Sequence, residues 1–271
     1  MLAHVVVVGD PAPTPRPPGP VRRVDVGDAG RLSLDVPDDG LPVLVLAERR
    51  HAHVAGREAA LLAQRTGVPG VARRMLAHGP LAVQHLAETL ASAMEADDLS
   101  AAVAVDLLDR LASATLSAAW LGSVASLVDP APSVGQHVRS LRPGGAGFVV
   151  VHAPAQAVHP ARSVPATVGR DAGPERRVLL VSGQAPDAAV AEVARLAGTR
   201  EVRAVDPETV LRVRYGTERG AEFAALPDGV RGLPADAAAL LPCPTCRLPL
   251  PHEICPFCHT SRQPVLVGES L

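Results

Sequence analysis

Residues 178–205 read VLLVSGQAPDAAVAEVARLAGTREVRAV, and this stretch decides the fold class. Val178–Ser182 is a short run of valine and leucine with the length and composition of a buried strand. Pro186–Leu196 repeats apolar residues at helical spacing. Pro186 stands in its first turn, where a missing N–H costs nothing, and Gly198 stands just beyond its end, where a left-handed residue is wanted. Glu201–Val205 is a second strand. A strand, a helix and a strand joined by short turns form a parallel pair through a right-handed crossover. The pattern predicts an α/β protein.

On the N-terminal side of this unit, Phe148–Val151 reads as a strand and Ala153–Arg177 as a Pro-rich irregular stretch. On the C-terminal side, Val210–Tyr215 reads as a strand and Leu226–Pro242 as a Pro/Gly/Ala-rich linker. The first half has its own rhythm. His4–Val8 is a β-branched strand ended by Gly9-Asp10, and Pro11–Pro20 is a loop too poor in backbone donors for regular structure. Val21–Val26 and Arg31–Val36 alternate apolar and polar residues, as the two arms of a half-exposed hairpin would, and Leu41–Leu46 is a further apolar strand. The period then lengthens. Val54–Gln64 predicts a helix, Val71–His78 and Leu81–Met94 predict two more broken at Gly79-Pro80, and Asp97 or Ser100 caps a long helix running to about Val128. Its core stripe is Leu107, Leu108, Leu111, Thr115 and Leu116. The Pro/Gly-rich connection Asp129–Gly147 marks a boundary. The expected organisation is an α/β part with a helical block (1–130), a second α/β part (145–225), a linker (226–240) and a C-terminal module (241–271). The fold class is α/β, with two Rossmann-like, mixed-sheet parts.

Composition excludes several chemistries. The chain of 271 residues is 47% apolar and 20% charged, enough for a sizeable core, but only 2% aromatic, so that core must be built from Ala, Val and Leu. There is no Lys and no Asn, and all 26 basic side chains are Arg. Schiff-base enzymes, pyridoxal-phosphate enzymes and Walker-type nucleotide loops each need a Lys and are excluded. The net charge is −2 and the arginines fall in scattered pairs, such as Arg22-Arg23 and Arg176-Arg177, rather than along a basic stripe. Nucleic acid is therefore an unfavoured partner. The N-terminus lacks a basic n-region, and Leu111–Val128, the longest uncharged run, is diluted by serine and threonine, so neither a signal peptide nor a membrane span is expected. Four clustered cysteines with none elsewhere fit a reducing cytoplasm.

Those cysteines are Cys243-Pro-Thr-Cys246 and, after eight residues, Cys255-Pro-Phe-Cys258. Two facing Cys-x-x-Cys turns supply the four soft ligands of a tetrahedral metal. Residues 241–262 resemble the short zinc ribbons appended to many bacterial and archaeal proteins. Such ribbons often carry Gly directly after the second Cys of each knuckle; here Arg247 and His259 stand there. The resemblance implies one structural Zn2+, with rubredoxin-like iron as the alternative. Four thiolates leave no open position for substrate, so the site is structural, with His252 and His259 as bystanders.

A second constellation is histidine. His51 and His53 follow the strand Leu41–Leu46, His152 follows Phe148–Val151, and Asp10 ends the first strand. Strand-end loops of open α/β sheets form ligand crevices, so these four residues are an alternative metal-binding site. Ser182-Gly183-Gln184 offers a single glycine before a helix, and no Gly-x-Ser-x-Gly is present. The leading expectation is a non-enzymatic zinc-ribbon protein, an adaptor or assembly component working through contacts with a protein partner. The alternatives are a metal-dependent hydrolase using His51, His53, His152 and Asp10, and a nucleic-acid-binding regulator.

Overall fold

Two sheets, sharing a layer of helices between them, make up most of the computed structural model. It describes residues 3–10, 21–26, 36–37, 39–65, 70–96, 99–141, 145–165, 177–207, 210–227 and 240–261. The first sheet contains β1 (His4–Gly9), β2 (Val21–Asp25), β3 (Val43–Glu48) and β4 (Val71–Leu76), in the order β2-β1-β3-β4 and parallel throughout. Strands covered on both faces read as unbroken apolar runs, which accounts for VVVV in β1 and VLVLA in β3. Alternate residues divide between two cores. Val6, Val8, Val43 and Val45 pack under α1 (Ala52–Ala63) through Ala55, Ala59 and Leu62. Val5, Val7, Leu44 and Leu46 pack on the opposite side against α2 (Pro80–Ala96) and α3 (Ala101–Ala114).

The second sheet contains β5 (Leu116–Leu121), β6 (Phe148–Ala153), β7 (Ala157–Pro160), β8 (Arg177–Gly183), β9 (Val202–Val205) and β10 (Gly220–Pro227). Its order is β7-β6-β5-β10-β8-β9, with only β8 and β9 parallel. Helices α4 (Val134–Ser140), α5 (Asp187–Ala197) and α6 (Leu211–Tyr215) lie along its connections. One face is covered by α5 through Ala189, Val193 and Leu196. Leu180, Ala224 and Leu226 on the other face join the core of α2 and α3, so α2 touches both β1 and β10. The helical block thus sits between the sheets. The strand–helix–strand unit forms as expected: β8 and β9 are parallel, Pro186 is the N-cap of α5, and Gly198 is its left-handed C-cap at φ 68°.

Several elements differ from expectation. Val71–Leu76 is strand β4, not a helix: its apolar residues suit either period, and parallel pairing with β3 decides between them. The long helix ends at Ala114, where Thr115 turns extended (ψ 123°) and its hydroxyl donates to the Leu111 carbonyl at 2.7 Å. Leu116–Leu121 then opens the second sheet as β5, well before the expected boundary. Val210–Tyr215 contributes the short helix α6, closed by Gly216 at φ 70°. Strand β10, which lies between β5 and β8, has no counterpart in the sequence reading. Val21–Asp25 pairs in parallel with β1 and so is no hairpin arm, and residues 31–35 of the other expected arm lie outside the described residues.

Candidate functional site

The strand ends of the first sheet meet the second sheet at a buried ionic seam. Asp10 follows β1, Glu48 is the last residue of β3, and Arg50 and His51 lie in a 3-10 turn that leads into α1. Across the seam, Arg214 and Tyr215 come from α6, Glu222 from β10, His152 from β6 and Ser117 from β5. Arg214 Nε donates to Glu48 Oε2 at 2.9 Å, and its guanidinium lies 4.9 Å from the centre of the Tyr215 ring. Arg50 is salt-bridged to Asp10, with its Nε 3.5 Å from Glu48 Oε2. The two sheets are therefore joined by charge as well as by apolar packing.

A directed hydrogen-bond chain runs beside these pairs. The Tyr215 hydroxyl donates to Glu222 Oε1 at 2.8 Å, so it accepts from His152 Nε2 at 3.2 Å, which places the proton on that nitrogen. The two rings stack at 5.9 Å. Gly79, which precedes α2, donates its N–H to Ser117 Oγ at 2.9 Å. A Cβ at Gly79 would stand 3.2 Å from His152 and 3.5 Å from the Tyr215 hydroxyl, so the start of α2 closes on this chain. Helix N-termini favour negative charge.

Burial dominates the electrostatics here, because a charge removed from water is costly unless fully paired. It raises both Glu48 and Glu222 from 4.5 to about 7, against the pull of Arg214. It lowers His51 from 6.5 to about 4, with Arg50 adding repulsion, and lowers Arg50 itself to about 10. His152 is held well below its ordinary value by burial and then by Arg214. Near neutral pH the two glutamates stand between protonated and ionised, and the histidines are neutral. Glu48 Oε1, Glu222 Oε2 and His51 Nε2 are buried without a hydrogen-bond partner among the described residues.

Of the four residues expected to form a second metal site, the seam gathers three. His51 Nε2 lies 3.5 Å from Asp10 Oδ1, and His152 enters through Tyr215. His53 is exposed on α1. Glu48 replaces it: ligand atoms of Asp10, Glu48 and His51 lie within 4.8 Å of one another. Arg50, paired with Asp10 and close to Glu48, already supplies positive charge at that point. Glu48, Arg50, Arg214, Tyr215 and Glu222 were not singled out from sequence. The available signal was a glutamate closing an otherwise apolar strand, VLVLAE, and another inside AEFAAL.

The cysteines form the other cluster. Cys243 Sγ lies 3.4 Å from Cys258 Sγ and Cys246 Sγ lies 3.5 Å from Cys255 Sγ; all four are free thiols within 4.8 Å of one another. Leu248, Leu250 and Phe257 of this segment are buried in the core shared with α2 and α3.

Neither a protein-family model nor a curated protein matches the sequence. Solved structures match in fold. A DegV family protein from Corynebacterium glutamicum has TM-score 0.57 at 13% identity, covering 84% of this chain and 99% of its own. One from Eubacterium eligens, loaded with heptadecanoic acid, has TM-score 0.58 at 13% identity, covering 83% and 99%. The B3 protein of a Streptococcus pneumoniae fatty acid kinase, loaded with linoleic acid, has TM-score 0.58 at 10% identity, covering 84% and 100%. This likeness overturns the expected zinc-ribbon adaptor: most of the chain shares its fold with structures solved with fatty acids bound, and the cysteine segment packs against that fold. No helix among the described residues is long and apolar enough to cross a membrane. The chain has a mixed α/β fold of two sheets and helices, the fold of the DegV family structures.

Proposed function

We propose that the protein binds a long-chain fatty acid, holds the acid group at the seam between its sheets, and presents it to a protein partner. The observation that carries this reading is the buried seam itself, in a fold whose solved examples include structures loaded with heptadecanoic and linoleic acid. Arg50 and Arg214 supply guanidinium groups, which pair with carboxylates through fixed N–H forks. Glu48 and Glu222, raised to about 7, share a proton with a second carboxyl where two bare carboxylates would repel. The orphaned oxygens of these glutamates accept from a protonated acid group. The aliphatic interior, with aromatics at 2% of the chain, suits an acyl tail. The partner is supported by the B3 protein's being named as part of a fatty acid kinase. A cytoplasmic location is supported by the free thiols.

Organic extraction of the purified chain followed by mass spectrometry is expected to recover a fatty acid near one per chain. A fluorescent fatty acid should bind and be displaced by oleic acid. Arg50→Gln should weaken that binding roughly tenfold, the value of a hydrogen bond to a charged group, while the fold survives by circular dichroism. Recovery of no acyl chain together with no displaceable binding would reject the proposal.

A further inference from the structure

We propose that Cys243, Cys246, Cys255 and Cys258 bind one structural Zn2+, and that this metal clasps the ribbon onto α3 and the start of β4, making it part of the body's interior. The inference rests on the ribbon's geometry and is independent of the fatty-acid reading.

The sulfur positions suit a metal better than a disulfide. The close Sγ pairs, at 3.4 and 3.5 Å, join cysteines of different knuckles. A disulfide requires about 2.05 Å, whereas zinc–sulfur bonds of about 2.3 Å put tetrahedral sulfurs roughly 3.8 Å apart. The two knuckles have the same backbone. Arg247 N–H donates to the Cys243 carbonyl and His259 N–H to the Cys255 carbonyl, each at 3.0 Å. Cys243 N–H donates to the Leu248 carbonyl at 2.8 Å and Cys255 N–H to the Thr260 carbonyl at 3.1 Å. Arg247 and His259 both take left-handed conformations, at φ 64° and 57°, the positions at which zinc knuckles prefer glycine. Strain of this kind at two related positions persists only where the surroundings over-determine it. A shared metal does so.

Attachment to the body is equally specific. Leu248, Leu250 and Phe257 are buried in one cluster with Leu108 and Leu111 of α3. Phe257 lies flush on the backbone before β4, where a Cβ at Gly70 would meet Phe257 Cβ at 2.8 Å. Ser100, the N-cap of α3, donates its hydroxyl to the Pro249 carbonyl at 3.4 Å, and His252 Nε2 meets Asp106 Oδ1 at 2.9 Å. A segment this short cannot hold such a surface in shape without a cross-link.

The test uses the full chain. Elemental analysis should give one zinc per protein, and mercurial titration of the four thiols should release it. Removing the metal with a strong chelator should strip hydrogen-exchange protection from α3 and β4, and re-adding zinc should restore it. Phe257→Ala should keep the zinc yet lose protection in the same two elements, so the clasp stays testable if Cys255→Ser fails to fold. Iron or no stoichiometric metal would overturn the site. Zinc whose removal leaves α3 and β4 fully protected would overturn the clasp.

Discussion

Glu222 sits inside the second sheet with one oxygen on the Tyr215 hydroxyl and the other without a hydrogen-bond partner among the described residues, and burial raises it from 4.5 to about 7. Between those two pH values the folded chain keeps a proton that the unfolded chain has lost. Its contribution to stability is therefore complete below pH 4.5 and falls as pH rises through 7. Glu48 acts in the same direction. His51 acts oppositely: lowered from 6.5 to about 4, it adds stability as pH rises across that window. Glu222→Gln keeps the size and the acceptor for Tyr215 while removing the charge. Its stability in urea should be near wild type at pH 5 and higher by roughly 2 kcal/mol at pH 8, so equal shifts at both values would refute the assignment. Arg247 gives a second prediction. A side chain in the left-handed region costs about 1 kcal/mol, so Arg247→Gly should raise the unfolding free energy in urea by that amount in the zinc-loaded chain; a lowered value would show that the arginine makes compensating contacts.

Among the elements, legibility followed punctuation and β-branching. The unit β8–α5–β9 was readable because Pro186 and Gly198 bracket its helix and Val178, Val181, Val202 and Val205 mark its strands. Strands β1 and β3 were readable for the same reason. Strands β5 (LSAAWL) and β10 (GAEFAALP) contain no valine or isoleucine, and both are buried along their whole length, so no alternation marks them. Residues 210–215 alternate as a strand would, yet fold as α6, and that reading hid Arg214 and Tyr215 from the site. Asp10 and His51 were visible because each follows a recognisable strand; their partners on α6 and β10 became neighbours only once two sheets faced each other. The cysteine spacing was legible in full, whereas the burial of Leu248, Leu250 and Phe257 depends on a surface of α3 that no local pattern describes.

For the molecule as a whole, the position of β10 governs how the protein can be made. Ala118 of β5 pairs with Phe223 of β10, which in turn pairs with Val181 of β8. Until Pro227 has emerged during synthesis, β7-β6-β5 and β8-β9 are two separate ribbons, each with an open inner edge. Open edges recruit foreign strands. A chain ending at Arg219 should therefore sediment as aggregate, and a peptide spanning 220–227, added during refolding, should recover dispersed protein; a monodisperse chain without the peptide would contradict this. The nascent protein carries these open inner edges from the completion of β5 at Leu121 until β10 emerges, and the strand that seals them arrives together with Glu222, so the two inner edges close at the same step that completes the ionic seam.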